Sequence, residues 1–329
     1  MDIVSEFVSP LAPVITRYLA LKTALGRSYS TERQIFRVLD AFLVADHAAD
    51  LTPEVFERWC QSQAHLKSGN RRAQMRIVRN LCLYRRRTEP TCFVPDPAFF
   101  PPGHQSTPPY LFTPDEIARL IAATGTLYTT VPYPLRAQAI RVGMVLLYTA
   151  GLRRGELLRL TVGDYDQQDR TLLIRVSKFH KSRLLPLSTD AVTALEAYLA
   201  VRRTSRPDSL RDEAPLIWKG GTALHGYSGG GFGRVFRTLA RKAGVLKADG
   251  HPPRVHDIRH SFAVHTLLRW YHAGIDVQAK LPLLSTYMGH VSIISTQYYL
   301  HFVEPLASVA SERFARHYGA LLTPTLKEE

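Results

Sequence analysis

The chain has 329 residues with 45% in the hydrophobic set, enough to bury a substantial core and to form two domains. Forty-two Lys and Arg against 28 Asp and Glu give a formal net charge of +14, which points to a polyanionic partner such as nucleic acid ahead of acidic proteins or anionic membrane. Three irregularly spaced cysteines, Cys60, Cys82 and Cys92, exclude a disulfide framework and offer no zinc spacing. They predict reduced thiols in a cytoplasmic protein. An acidic start, with Asp2 and Glu6, does not read as a secretory signal, and no stretch reaches the roughly 20 apolar residues of a membrane span.

From residue 11 to about 87 the pattern reads as several helices joined by short turns, one opening at Thr52-Pro53-Glu54, where proline supplies the φ of a first helical turn. Over residues 68–87, Met75, Ile77, Val78, Leu81 and Cys82 fall on one arc and Arg72, Arg76 and Arg79 on the other. This predicts an amphipathic helix with a basic outer face. Residues 58–87 hold nine Arg and Lys and no acid, a run that repels itself unless something negative covers it. Arg72, Arg76 and Arg79 are therefore candidate DNA contacts, against the plainer reading of a solvated face. The proline density of 95–109 excludes helix interior and central strand and marks a linker. Thr113-Pro114-Asp115-Glu116 then spells a capping box with proline at the first helical position.

Residues 137–148 predict a largely buried helix. A strand over 171–176, a polar tip over 177–182 and a second strand over 183–187 predict a hairpin in a mostly helical domain. Helix returns over 190–203. The glycine-rich stretch 220–233 lacks the Gly-Lys-Ser/Thr ending of a phosphate loop and reads as a turn before a helix over 234–242. Another helix is expected over 261–271, ending toward Gly274. The predicted fold class is multidomain, mainly α with a small β-sheet.

Four clusters carry potential chemistry: Gly151-Leu152-Arg153-Arg154-Gly155-Glu156, Ser177-Lys178-Phe179-His180-Lys181-Ser182-Arg183, His256-Asp257-Ile258-Arg259-His260, and Gly289-His290 with Tyr298-Tyr299. Singly, each has a structural reading: an Arg153–Glu156 pair across a helix turn, a solvent-facing Lys178, a helix N-terminal network at His256 and Arg259, aromatic packing of the tyrosines. Their residue types and order, however, resemble the tyrosine recombinase or phage integrase family, particularly its Xer-type members. The resemblance covers residues 113–318; the earlier part matches only in size, helical pattern and basic face.

The resemblance implies a helical, SAM-like core-binding domain over 1–95, a proline-rich linker over 96–112, a tyrosine-recombinase catalytic domain over 113–320 and a tail over 321–329. It implies catalytic roles for Arg153, Lys178, His256, Arg259 and His290, with Glu156 and His260 in support. The nucleophile is expected nine positions after His290, which selects Tyr299 over Tyr298. No metal or cofactor is implied. Lys181 and Arg183, in the same basic turn as Lys178, are further candidate DNA contacts.

The chemistry suits these residue types independently of the resemblance. Two guanidiniums, Arg153 and Arg259, can hold the non-bridging oxygens of a phosphodiester through charge-assisted bonds as negative charge grows. A phenol with a reference pKa of about 10 needs its proton drawn off, for which His256 is the choice of acid or base. The leaving 5′ oxygen needs a proton, which Lys178 can supply, while His290 donates to the phosphate. The sequence departs from the family where Ser177 and Phe179 replace the glycines usual beside the lysine, where His180 adds bulk, and where Ile258 replaces leucine.

A terminal amphipathic helix is expected over 302–318. The resemblance implies that it docks on a neighbouring protomer, and that double-stranded DNA carrying recombination sites is bound in a synaptic tetramer, with a related recombinase or accessory protein as a further partner. A type IB topoisomerase-like nicking-closing enzyme and a noncatalytic architectural DNA-binding protein are the alternatives.

Overall fold

A computed structural model describes residues 6–27, 29–102, 108–128, 133–175, 182–221 and 224–302. Lys178, Lys181 and the expected terminal helix fall outside these residues, apart from the backbone of Phe302. The chain divides into two compact units, 1–107 and 108–329.

The first unit packs α1 (Ala12–Ala24), α2 (Ser30–Ala45), α3 (Pro53–Ser62) and α4 (Ser68–Arg85) around Phe36, Leu39, Trp59 and Val78, all fully buried. Thr52 caps α3 by accepting from the Val55 N–H at 3.3 Å, the bond its Thr-Pro start requires. Asp40, buried in α2, accepts from the N–H groups of Val8 and Ser9 at 3.0 and 2.9 Å and so fixes the segment before α1. In α4 the buried set is Met75, Val78, Leu81 and Cys82, as a helix with one apolar arc demands.

The acid-free basic run is partly answered from within the unit. Arg58 pairs with Asp46 at 2.6 Å, and Arg85 pairs with Asp50 and, at 2.6 Å, with Glu89. Arg76 is exposed, whereas Arg72 and Arg79 are half-buried. Arg72 donates to the carbonyl of Pro101 at 2.8 Å, holding the start of the proline-rich stretch against α4. Arg72 thus serves the chain's own backbone as well as standing on the basic side of α4.

In the second unit, α5 (Pro114–Ala123) carries the full capping box, with Thr113 Oγ1 accepting from the Glu116 N–H and Glu116 accepting from the Thr113 N–H. Next, α6 (Arg136–Thr149) buries Ile140, Val142, Met144, Leu146 and Leu147, and α7 (Arg154–Leu157) is one short turn. The hairpin forms as β2 (Thr171–Ile174) and β3 (Arg183–Pro186). The two-residue β1 (Tyr165–Asp166), too short to show periodicity, makes an antiparallel sheet in the order β1-β2-β3. Helix α8 (Thr189–Ser205) follows.

Two boundaries differ from expectation. Helix α9 (Gly229–Lys242) begins inside the glycine run: Ser228 caps it by accepting from the Gly231 N–H, and burial of Phe232 drives the first turn despite the glycines. Helix α10 (Val255–His272) begins six residues before residue 261. Its Asp257, buried in the first turn, accepts from the Arg254 N–H at 2.8 Å and ion-pairs with that residue's guanidinium. The catalytic candidates at 256, 259 and 260 are thus helical. Helices α11 (Val277–Met288) and α12 (Ile294–Gln297) and a 3₁₀ turn over Tyr298–Phe302 complete the described fold. No helix among the described residues is long and apolar enough to cross a membrane.

Candidate active site

Three elements converge on one buried carboxylate. Arg153 stands at the N-cap of α7, where its N–H donates to Glu156 Oε2 at 3.0 Å and its Nη1 to Oε1 at 2.7 Å. Arg183, the first residue of β3, places Nη1 and Nη2 on the same two oxygens at 3.2 and 3.0 Å. Arg259, one turn into α10 and only 1% exposed, brings Nη1 to within 4.0 Å of Glu156 Oε2. Burial alone would raise the Glu156 pKa. The Arg183 fork, the Arg153 N–H and the charges of both arginines outweigh it and hold the carboxyl at about 2. Glu156 is therefore an anion that gathers three cations.

The C-terminal end of α11 is the second organiser. Gly289 adopts φ +67°, closing the helix in the left-handed region where glycine carries no steric penalty. Arg183 Nε donates to Tyr287 O at 2.9 Å, Arg259 Nη2 to Met288 O at 2.7 Å and Arg153 Nη2 to Gly289 O at 3.0 Å. Three consecutive carbonyls thus each receive one guanidinium, a favourable placement of cations at a helix C-terminus. Arg259 Nη1 also donates to Gly151 O at 2.6 Å.

His290 follows this turn, its Nδ1 sharing a 2.8 Å hydrogen bond with Thr296 Oγ1. Burial first, and then the charges of Arg259, Arg153 and Arg183, push its pKa down to about 3. The ring stacks on Tyr299, centroids 6.0 Å apart at 25°. Tyr299 is 3% exposed and meets His260 edge-on at 5.4 Å. Burial raises its pKa, opposed chiefly by the charge of Arg259. His260 in turn lies 4.9 Å from His256, one helical turn earlier on the same face of α10. His256 is pushed down to about 4 by partial burial and then by His260 and Arg259.

The structure thus brings Arg153, Glu156, His256, Arg259, His260, His290 and Tyr299 together. Tyr298 is half-buried beside Tyr299. Arg183, expected to face DNA with the basic turn, is instead turned inward, its side chain 11% exposed. The reason is the buried Glu156 carboxylate, which demands a forked partner. Thr296, the orienting partner of His290, carried no sequence signal, and α11 was missed because Pro282 lies inside it, where a proline ordinarily argues against helix. A cavity of about 510 Å³ beside the site is lined by Arg153, Arg154, Arg237, Arg254 and His256. Among the described residues Arg154 and Arg237 have no acidic partner, leaving two cations facing it. No cluster with the makings of a metal site occurs among the described residues.

The chain is similar to known proteins over most of its length. The phage integrase family profile matches residues 111–304. The Sinorhizobium fredii protein y4rB, provisionally named an integrase/recombinase, is 32% identical over 94% of this chain and 99% of its own length. Tyrosine recombinase XerD of Listeria innocua is 31% identical over 61% of this chain and 60% of its own. Among solved structures, the XerH site-specific recombinase in a post-cleavage complex with its palindromic difH substrate superimposes with a TM-score of 0.62 at 15% identity, covering 85% of this chain and 78% of that one. The Tn1549 transposon integrase bound to transposon right-end DNA gives 0.60 at 18% identity, covering 92% and 98%. Both structural likenesses establish the fold, mainly α with a small three-stranded sheet. By profile and by near full-length identity, the chain belongs to the phage integrase family of tyrosine recombinases.

Proposed function

We propose that this protein is a site-specific DNA recombinase that cleaves and rejoins strands through a 3′-phosphotyrosyl link to Tyr299. The carrying observation is that Tyr299, and not Tyr298, is stacked on His290 within the field of Arg259 and Arg153. In the proposed reaction the Tyr299 oxygen attacks phosphorus while the bond to the 5′ oxygen breaks. Arg153 and Arg259 take up the charge growing on the non-bridging oxygens. His256, depressed to about 4, is neutral at pH 7 and able to accept the phenolic proton. When Thr296 donates to Nδ1 of His290, that ring presents an Nε2–H donor to the phosphate. Lys178 protonates the leaving 5′ oxygen. The phosphotyrosyl bond keeps the phosphodiester's energy, so a 5′ hydroxyl from another strand reseals it without a nucleotide or metal.

In this reading the first unit is a SAM-like core-binding domain that uses Arg76 and its neighbours on phosphates. Both units bind the duplex, and four protomers on two sites form the synaptic complex, with integration, excision, transposition or dimer resolution as the outcome. The test mixes the protein with a genomic pool of nicked suicide duplexes and isolates covalent complexes under denaturing conditions. An adduct lost with Tyr299→Phe and kept with Tyr298→Phe supports the proposal, and the captured DNA supplies the site. DNA binding with no adduct on a pool that covers the genome favours an architectural protein; relaxation of supercoiled DNA without paired sites favours a nicking-closing enzyme.

A further inference from the structure

We infer that Arg183 is a positioning residue for strand cleavage: it holds Glu156 and the Gly289-His290 turn so that Arg153 and Arg259 present their charge to the phosphate. The inference rests on the proposed recombinase chemistry and extends it. Arg183 leaves the sheet at the start of β3, and its guanidinium reaches three places. Nη1 and Nη2 fork onto Glu156, Nε donates to Tyr287 O, and Nη1 lies only 2.6 Å from where a Cβ on Gly289 would sit. The last distance shows that the turn carrying His290 is built against this side chain. Arg153 closes the loop, joined to Glu156 at 2.7 Å and to Gly289 O at 3.0 Å. Sheet, α7 and the end of α11 are thereby linked in one hydrogen-bonded circuit.

The charge arithmetic gives the circuit a catalytic consequence. Three guanidiniums face one carboxylate; with Arg183 forked onto Glu156, Arg153 makes a single side-chain contact to that acid and keeps other donors available. Without Arg183 the buried carboxylate has only Arg153 and Arg259 to draw on, and it turns them inward, away from a phosphate. A direct DNA contact would behave differently, because phosphate contacts govern affinity and its salt dependence.

The test measures single-turnover adduct formation at saturating nicked duplex, and duplex affinity separately, for wild type, Arg183→Met, Arg183→Lys, Glu156→Gln and the Arg183→Met/Glu156→Gln double variant. Arg183→Met is expected to slow cleavage about 100-fold, the scale of an ångström-level misplacement, with affinity changed less than about twofold and an unaltered salt slope. Arg183→Lys, which keeps the charge but not the fork, is expected to recover only part of the rate. The double variant should cleave no more slowly than Arg183→Met, because removing the carboxylate's charge removes what Arg183 restrains. Should Arg183→Met fail to fold, Arg183→Lys carries the same comparison. Equal cleavage by wild type and the Arg183 variants, or a loss that appears in affinity and multiplies with that of Glu156→Gln, overturns the inference. Absence of a Tyr299 adduct in wild type would count against the proposed function itself.

Discussion

Glu156→Gln is the sharpest stability probe. The carboxyl is held at about 2 against an ordinary 4.5, with burial raising it and the Arg183 fork and Arg153 contacts lowering it further. At 1.36 kcal/mol for each pKa unit, this displacement corresponds to about 3 kcal/mol of stability, as an order of magnitude. Because the folded-state pKa is depressed, the contribution is present in full above the unfolded value of 4.5 and is lost as pH falls through the folded value of about 2. Glutamine keeps the shape but carries no charge. Urea unfolding should therefore show Glu156→Gln less stable than wild type by about 3 kcal/mol at pH 7, with the gap falling to roughly 1.4 kcal/mol at pH 3. A gap below about 1 kcal/mol at pH 7, or one that does not narrow toward pH 3, would refute the assignment of Glu156 as the ionised hub.

Both His256 and His290 are depressed, to about 4 and about 3, so NMR titration should find each neutral down to at least pH 5.5. Linkage has the matching sign: histidines that ionise less readily when folded stabilise fully above their unfolded value of 6.5, and that part of stability falls as pH drops toward 4. Gly289→Ala adds a methyl 2.6 Å from Arg183 at φ +67°, and thermal or urea unfolding should register a loss of about 1–3 kcal/mol. Gly151→Ala, where the methyl falls 2.3 Å from the ring of Phe262 at φ +58°, should cost at least as much. Arg76→Ala should lower the slope of log affinity for DNA against log salt by about one, measured by titration, whereas Arg72→Ala, which releases Pro101, should lower stability and leave the slope nearly unchanged.

Local signals were legible where one residue type decides the local structure. Thr52 and Thr113 mark helix starts because their hydroxyls accept the bonds that a first turn leaves open. The hairpin is legible in two short apolar runs, 171–176 and 183–187, separated by a polar tip. The glycine run was misread because propensity is a weak prior: Ser228 and the burial of Phe232 override four glycines within one turn and a half of α9. Likewise the start of α10 was hidden by Pro252-Pro253 and by polar His256 and Asp257, whose buried ion pair with Arg254 exists only in three dimensions. Tyr299 is selected over Tyr298 by the interval from His290 that the family resemblance implies. The inward turn of Arg183 could not be read the same way. It depends on a carboxylate 27 positions earlier and a carbonyl 104 positions later.

The most direct test is to digest the covalent complex formed on a nicked suicide duplex and locate the attached nucleotide by fragmentation mass spectrometry. The account predicts a 3′-phosphate ester on the phenolic oxygen of Tyr299. A nucleotide on Tyr298 or on any other side chain would contradict it.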